Sequence, residues 1–169
     1  QSLQTRYAKT IAEVCRLIEK SSEPLSLDDL ASGAGLSPYH FHRIFKSITG
    51  VTPKSYADAV RQRRVKDGLR REKTVTQAIY DAGYSSNGRF YDKSARILGM
   101  TPKVFKSGGQ SAVIRFAVGD CSLGSILVAE SDKGVCAVLL GDDANELVED
   151  LQDRFPRAEL IGGEKAFEK

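Results

Sequence analysis

The chain has 169 residues, 41% hydrophobic and 28% charged, which is the composition of a soluble globular protein with one ordinary domain or two small ones. No apolar run approaches the roughly 18 residues of a transmembrane helix, and the polar N-terminus has no signal-peptide core. The three cysteines are odd in number and lie at no metal-binding spacing. We therefore expect a cytoplasmic protein, and Gln1 in place of an initial methionine indicates a piece of a longer one.

The net charge of +3 conceals two unlike parts of the chain. Residues 1–108 hold 19 Lys and Arg against 10 Asp and Glu, whereas residues 109–169 hold 6 against 12. A small polar linker over 106–111 separates them. This asymmetry predicts that only the first part faces a polyanion and that the acidic tail adds little to such binding.

Two helices are predicted before residue 34. The first covers 5–20, and its apolar face is formed by Tyr7, Ile11, Val14, Cys15 and Ile18. Because Cys15 lies on this face, we expect a buried structural thiol there and not a reactive one. The second is short, begins near Leu27 and ends in a glycine turn over 33–35.

The next helix begins at Ser37-Pro38, since a serine hydroxyl can cap a free backbone N–H and proline fits the first helical position. Apolar residues at three- and four-residue spacing predict a buried face made of Phe41, Ile44, Phe45 and Ile48. The opposite face carries Tyr39, His42, Arg43 and Lys46. A helix, a glycine turn and a helix with a basic and aromatic outer face are typical of a helix-turn-helix.

The turn and its second helix recur about 48 residues later. The matched pairs are 34–37 with 82–85, Phe41 with Phe90, and 50–54 with 99–103. A second helix-turn-helix is therefore predicted, with helices at 76–82 and 86–98. The joining helix over 53–71 would be about 28 Å long, suited to holding two recognition helices about one DNA turn apart. Its basic run (Arg61, Arg63, Arg64, Lys66) is taken by itself as solvated surface.

Residues 5–107 resemble the DNA-binding domain of AraC-type transcription regulators, which join two helix-turn-helix units by a long helix. The resemblance rests on Gly35-Leu36-Ser37, Phe41 and Thr52-Pro53 in the first unit. In the second it rests on Ala82-Gly83-Tyr84, Phe90 and Gly99-Met100-Thr101-Pro102. It implies a mainly α fold with a DNA-binding domain over 1–108 and units at about 27–50 and 75–99.

The resemblance also implies which side chains meet double-stranded DNA. The base-reading positions match Tyr39, His42 and Arg43 in the first unit and Asn87 and Tyr91 in the second. Contacts with the phosphate backbone are expected from Ser37, His40, Lys46, Thr52, Ser86, Arg89 and Lys93. A plain solvated helix face is the alternative, which the repeat and the charge asymmetry disfavour. His40 and His42 are separated by two positions, so their side chains point in directions about 200° apart around a helix. This argues against a zinc ion that both would bind.

Two departures from the family pattern fall in the second unit. Asp92 stands where many relatives carry arginine, and Ser94 stands where a core aromatic is expected. We therefore expect the second unit to bind more loosely, or to contact phosphates in place of reading sequence.

The tail reads as a small α/β unit. Short β-rich runs at 114–118, 125–129 and 135–140 are followed by a helix that Asp142 or Asp143 caps and that ends near 155–156. A turn over 131–134 predicts a hairpin between the last two runs. The core of such a unit is too small for a complete enzyme.

Within the tail, Asp120-Cys121-Ser122-Leu123-Gly124 and Leu139-Leu140-Gly141-Asp142-Asp143 resemble Ada-type adaptive-response proteins. Those proteins join an AraC-type activator of the alkylation-damage response to a methylated-DNA–protein-cysteine methyltransferase. The resemblance implies that 109–169 is the incomplete, ribonuclease-H-like α/β start of the alkyltransferase region.

Two functions remain open at this point, and the first is favoured. The chain is either a DNA-binding module of an activator, with RNA polymerase as a candidate second partner, or a cysteine alkyl acceptor. The nucleophile of the family lies in a Pro-Cys-His-Arg sequence, which this chain lacks. No histidine follows His42, so Cys121 and Cys136 have no local general base. This chain alone is therefore not expected to be an enzyme, whereas the resemblance implies that its full-length parent is a methylated-DNA–protein-cysteine methyltransferase. No cofactor is expected in this chain, because the zinc of the family belongs to a four-cysteine module that these residues do not include. No small-molecule ligand is evident from the sequence.

Overall fold

The computed structural model describes residues 3–71 and 74–163. Helices occupy the chain up to residue 106, and a four-stranded sheet with one helix follows. The elements are α1 (Leu3–Lys20), α2 (Leu27–Gly33), α3 (Pro38–Thr49), α4 (Pro53–Arg70), α5 (Val75–Asp81), α6 (Asn87–Leu98), α7 (Pro102–Lys106), β1 (Val113–Cys121), β2 (Gly124–Ser131), β3 (Gly134–Gly141), α8 (Ala144–Arg154) and β4 (Glu159–Gly162). By their contacts, the residues form unit 1 (Gln1–Val65 and Asp81–Gly83) and unit 2 (Lys66–Tyr80 and Tyr84–Lys169).

Unit 1 contains the first predicted helix-turn-helix, which is confirmed as α2 and α3. Ser37 caps α3 as expected, because its Oγ accepts a hydrogen bond from the His40 N–H at 3.4 Å. The core of unit 1 is formed by Ile11, Val14, Ile18, Leu30, Ala31, Phe41, Phe45 and Val60. Ile48 was expected on the buried face of α3 but is 43% exposed, since it lies in the last turn of the helix.

Part of the basic run of α4 is structural, which corrects its interpretation as solvated surface. The Arg64 guanidinium donates hydrogen bonds to the carbonyl oxygens of Ser21 at 2.6 Å, Ile18 at 3.3 Å and Glu19. These are carbonyls at and just beyond the C-terminal end of α1, where a helix has unsatisfied acceptors and favours a cation. The Tyr56 hydroxyl donates to Glu19 Oε1 at 2.8 Å, so Tyr56 ties α4 to α1 as well.

Unit 2 contains the second predicted helix-turn-helix, confirmed as α5 and α6. Ser86 caps α6 by accepting a hydrogen bond from the Arg89 N–H at 3.4 Å, and Phe90 is fully buried with the Tyr84 ring 5.1 Å away. Ser94 is also buried, and its hydroxyl is satisfied by the Tyr91 carbonyl at 2.9 Å.

The tail forms one sheet with the strand order β3-β2-β1-β4. The three predicted strands are confirmed, each a few residues longer than expected, and they pair antiparallel in sequence order. Asp143 caps α8, as proposed. Strand β4 and helix α7 were not predicted, because an element of four or five residues shows too little periodicity. β4 pairs parallel to β1.

The tail packs against the second helix-turn-helix inside unit 2. Helix α6 contacts β3, the Ser131 hydroxyl donates to the Gly99 carbonyl, and the rings of Phe105 and Phe155 meet edge to face at 5.6 Å. These contacts cross the proposed boundary at residue 108, so the division into domains 1–108 and 109–169 stays a prediction. In the described ranges, no helix is both long and apolar enough to cross a membrane.

Candidate nucleic-acid interface

Tyr39, Arg43 and Lys46 form a stripe along the solvent side of α3, which we call the outer stripe. All three are exposed, Tyr39 by 74% of its surface. At 100° per residue they lie within about 60° of one another, opposite the buried Phe41 and Phe45. The guanidinium carbon of Arg43 lies 5.8 Å from the centroid of the Tyr39 ring, a cation–π contact that orients the arginine without burying it. Two cations and one phenol are thus presented together to solvent.

His40 and His42 lie on opposite sides of the outer stripe, and each has neighbours elsewhere in unit 1. The ring of His40 meets Tyr7 of α1 edge to face at 6.0 Å. His42 is half-buried and lines a cavity of about 440 Å³ within unit 1, beside Pro53 and Lys54. On an ideal helix His42 lies about 40° from Lys46 and about 60° from Tyr39, at the edge of the outer stripe. Its base-reading role stays a prediction. The cavity had no sequence signal, because its wall combines four separate segments of unit 1.

Three of the predicted phosphate-contacting residues are helix caps. Besides Ser37 and Ser86, Thr52 has its Oγ1 within 3.1 Å of the Ser55 N–H, from which it accepts a hydrogen bond. Their positions place exposed helix N-termini on the surface, where backbone N–H groups and the helix dipole favour an anion.

Helix α6 presents a different surface. Arg89, Tyr91 and Lys93 are exposed, Tyr91 by 51%. Asn87 is half-buried, and its Oδ1 is buried without a hydrogen-bond partner in the part of the chain that the structure describes. On an ideal helix Asn87 and Tyr91 lie about 40° apart on one flank of α6, whereas Arg89 and Lys93 lie about 40° apart on the other flank. Asn87 is also less accessible to solvent than a base-reading residue needs to be.

Two of the three cysteines have little nucleophilic character. Burial raises the pKa of the Cys136 thiol to about 11, and burial also raises the pKa of Cys15. A thiol with a raised pKa stays protonated near neutral pH and is a weak nucleophile. Cys121 is exposed at the end of β1. Within the described ranges, no three His, Cys, Asp or Glu side chains are grouped as a metal ion would need.

Two capped helix-turn-helix units, one with an exposed cationic stripe on its second helix, define a helix-turn-helix DNA-binding protein. Residues 30–108 match the family model described as "Helix-turn-helix domain". The transposon Tn10 TetD protein of Escherichia coli is 31% identical over 102 residues, a match that covers 59% of this chain and 74% of TetD. A crystal structure of an AraC-type transcriptional regulator from Chromobacterium violaceum superposes with a TM-score of 0.54 at 28% identity, covering 60% of this chain and 92% of that one. The chain belongs to the AraC-type family of helix-turn-helix proteins.

Within that family its similarity extends through the tail to Ada-type regulators. The bifunctional transcriptional activator/DNA repair enzyme Ada of Escherichia coli is 42% identical over 159 residues. This match covers 94% of the chain but only 45% of Ada, so the chain spans about half the length of that relative. The resemblance seen in the sequence is confirmed.

Proposed function

We propose that this chain reads specific sequences in double-stranded DNA as the DNA-binding part of an Ada-type transcriptional activator of the alkylation-damage response. The observation that supports this most directly is the outer stripe of α3. Its side chains project from a helix that is capped at its N-terminus and held on its inner side by the core of unit 1. Such a helix fits the major groove of B-DNA.

The chemistry of the stripe suits base reading. A guanidinium can donate two hydrogen bonds to guanine O6 and N7, and the Arg43 side chain is exposed enough to do so at little desolvation cost. A tyrosine beside it can pack on a thymine methyl group, whereas Lys46, further along the stripe, supplies a point charge for phosphate. In this proposal α6 and its cations hold the neighbouring stretch of DNA, and the activator works in the cytoplasm with RNA polymerase as its protein partner.

A binding selection from randomised duplexes, followed by footprinting of the enriched sites, tests sequence reading. We expect a compact consensus, with at least one guanine that Arg43 requires. Enrichment of no sequence over the starting pool would contradict the proposed function.

Binding to that site should weaken steeply with salt. Each phosphate that a Lys or Arg neutralises contributes about −0.9 to the slope of log K against log salt, so four to six contacts give roughly −4 to −5. Fluorescence anisotropy across a salt series measures the slope. The expectation rests on the excess of nine positive charges in residues 1–108, and a slope near zero would show that this charge does not face DNA.

No alkyl transfer to this chain is expected. Incubation with a duplex that contains O6-methylguanine should leave the intact mass unchanged, because two of the thiols have raised pKa values and no Pro-Cys-His-Arg sequence is present. An added methyl group on Cys121, seen in a peptide digest, would favour the alternative function of alkyl acceptor.

A further inference from the structure

Helices α3 and α6 can be compared position by position, because their ends are built alike. Each has 12 residues, begins after a serine N-cap and ends at a glycine in the left-handed conformation, with φ of 79° at Gly50 and 67° at Gly99. Phe41 and Phe90 are both fully buried at the matching inner position. The two helices therefore correspond with an offset of 49 residues, and a side chain on the solvent side of one has a definite counterpart on the other.

The counterparts of the outer stripe are chemically inverted. Gly88 corresponds to Tyr39, Asp92 to Arg43 and Ala95 to Lys46. All three residues of α6 are exposed. The stripe of α3 carries two positive charges, whereas the same stripe of α6 carries one negative charge. Gly88 and Ala95, the other two members of this stripe, are too small to reach a base.

The cations of α6 lie to one side of Asp92. Arg89, Lys93 and Arg96 are exposed, and on an ideal helix they cluster about 40–100° from Asp92 on the same flank. Among the residues that the structure describes, no Lys, Arg or His is paired with the Asp92 carboxylate within 4.0 Å. The cations on this flank can bind the phosphate backbone while Asp92 faces the groove. Gly88 has no side chain, and nothing lies within 4 Å of the position that its Cβ would occupy, so the helix can approach the DNA closely there.

The chemistry of a carboxylate restricts what it can face in the major groove. An ionised carboxylate only accepts hydrogen bonds. The major-groove edges of guanine and thymine present acceptors, whereas cytosine N4 and adenine N6 present donors. A carboxylate held against the groove is therefore favoured by an amino-bearing base and repelled by the others.

Resting on the function proposed above, we propose that Asp92 is the specificity-determining residue of the second unit. It selects a cytosine or adenine at one position and excludes guanine and thymine there. The two units thus read unlike half-sites, with Arg43 requiring guanine in one and Asp92 requiring an amino group in the other.

The test is a binding selection with the full chain in four forms: wild type, Asp92→Asn, Arg43→Ala and Asp153→Asn. The last is a matched control, because it removes one exposed negative charge from α8, away from the recognition helices in the sequence. We expect wild type to enrich cytosine or adenine at one position outside the Arg43 site. The amide of Asp92→Asn both donates and accepts hydrogen bonds. This variant should reduce the base preference at that position by about tenfold or more and leave the preferences at the other positions unchanged.

Each other outcome decides against this inference or against the proposed function. If Asp92→Asn strengthens binding to all duplexes equally, as Asp153→Asn would through net charge, Asp92 is a general repellent and not a reader. Unchanged binding, or enrichment of guanine or thymine at the Asp92-dependent position, also overturns the inference. If Arg43→Ala changes the base preference at one position of the site while Asp92→Asn changes the preference at none, the proposed function stands and the inference fails. If wild type enriches nothing, the proposed function itself fails.

Discussion

Arg43→Ala should weaken binding to the selected site far more than binding to random duplex DNA. A bidentate arginine–guanine pair contributes about 1–3 kcal/mol of discrimination, so specific affinity should fall roughly tenfold to a hundredfold. The reason is geometric: Arg43 lies on the outer stripe, opposite Phe41, and the Tyr39 ring orients its guanidinium. Anisotropy titrations with the selected and a scrambled duplex give both affinities.

Arg63→Ala is the control for this variant. Arg63 is an exposed arginine of α4, with 64% of its side chain accessible and its guanidinium 4.0 Å from Glu19. We expect Arg63 at most to touch phosphate, as we also expect of Lys66, so its loss should weaken all sequences about equally and flatten the salt slope by about one unit. Were Arg43→Ala to weaken both duplexes equally, Arg43 would be a backbone clamp, and the reading role would pass to Tyr39 and His42.

Gly99→Ala should destabilise unit 2 by about 3 kcal/mol or more. The left-handed conformation costs an alanine about 1–2 kcal/mol. An added Cβ at Gly99 would also lie 2.5 Å from the Gly134 carbonyl oxygen and 2.7 Å from the Cys136 nitrogen, both of them backbone atoms that cannot rotate away. A thermal melt of unit 2 should shift down by roughly 10 °C or more.

The internal repeat supplies a matched control for this prediction. Gly50 ends α3 in the same conformation as Gly99 ends α6, but nothing lies within 4 Å of its missing Cβ. Gly50→Ala should therefore cost only the backbone term, about 1–2 kcal/mol. Hydrogen exchange resolved by segment assigns each loss to its unit. Equal losses in the two variants would mean that the end of α6 does not approach strand β3 closely in solution.

Much of the fold could be predicted because its signals are local. Ser37-Pro38 marks the start of α3 within two residues, and the spacing of Phe41 and Phe45 defines its buried face. The repeat then located the second unit, whose terminal glycine occurs as expected, whereas its N-cap is Ser86, one residue after the Ser85 that the repeat matched with Ser37. Predictions that depended on a single position at an element's end were weaker, as the exposure of Ile48 shows.

The candidate interface was predicted in part for the same reason. Tyr39 and Arg43 are four residues apart, a spacing that places two side chains on the same face of any α-helix. His42 is three residues after Tyr39 and four before Lys46, so it lies at the edge of the same face, and the tertiary structure places it at the cavity of unit 1. Whether such an intermediate position meets solvent or protein depends on which segments pack beside the helix.

The sequence alone determined the two helix-turn-helix units, their caps and repeat, and the charge asymmetry, since each depends on residues close together in the chain. The tertiary structure decided which cations are available to DNA and what covers the second unit. Arg64 bonds a carbonyl 43 residues away, and the Ser131 hydroxyl meets Gly99 across 32 residues. Such contacts leave no periodic trace, because they arise only when separate segments pack together and satisfy each other's polar groups.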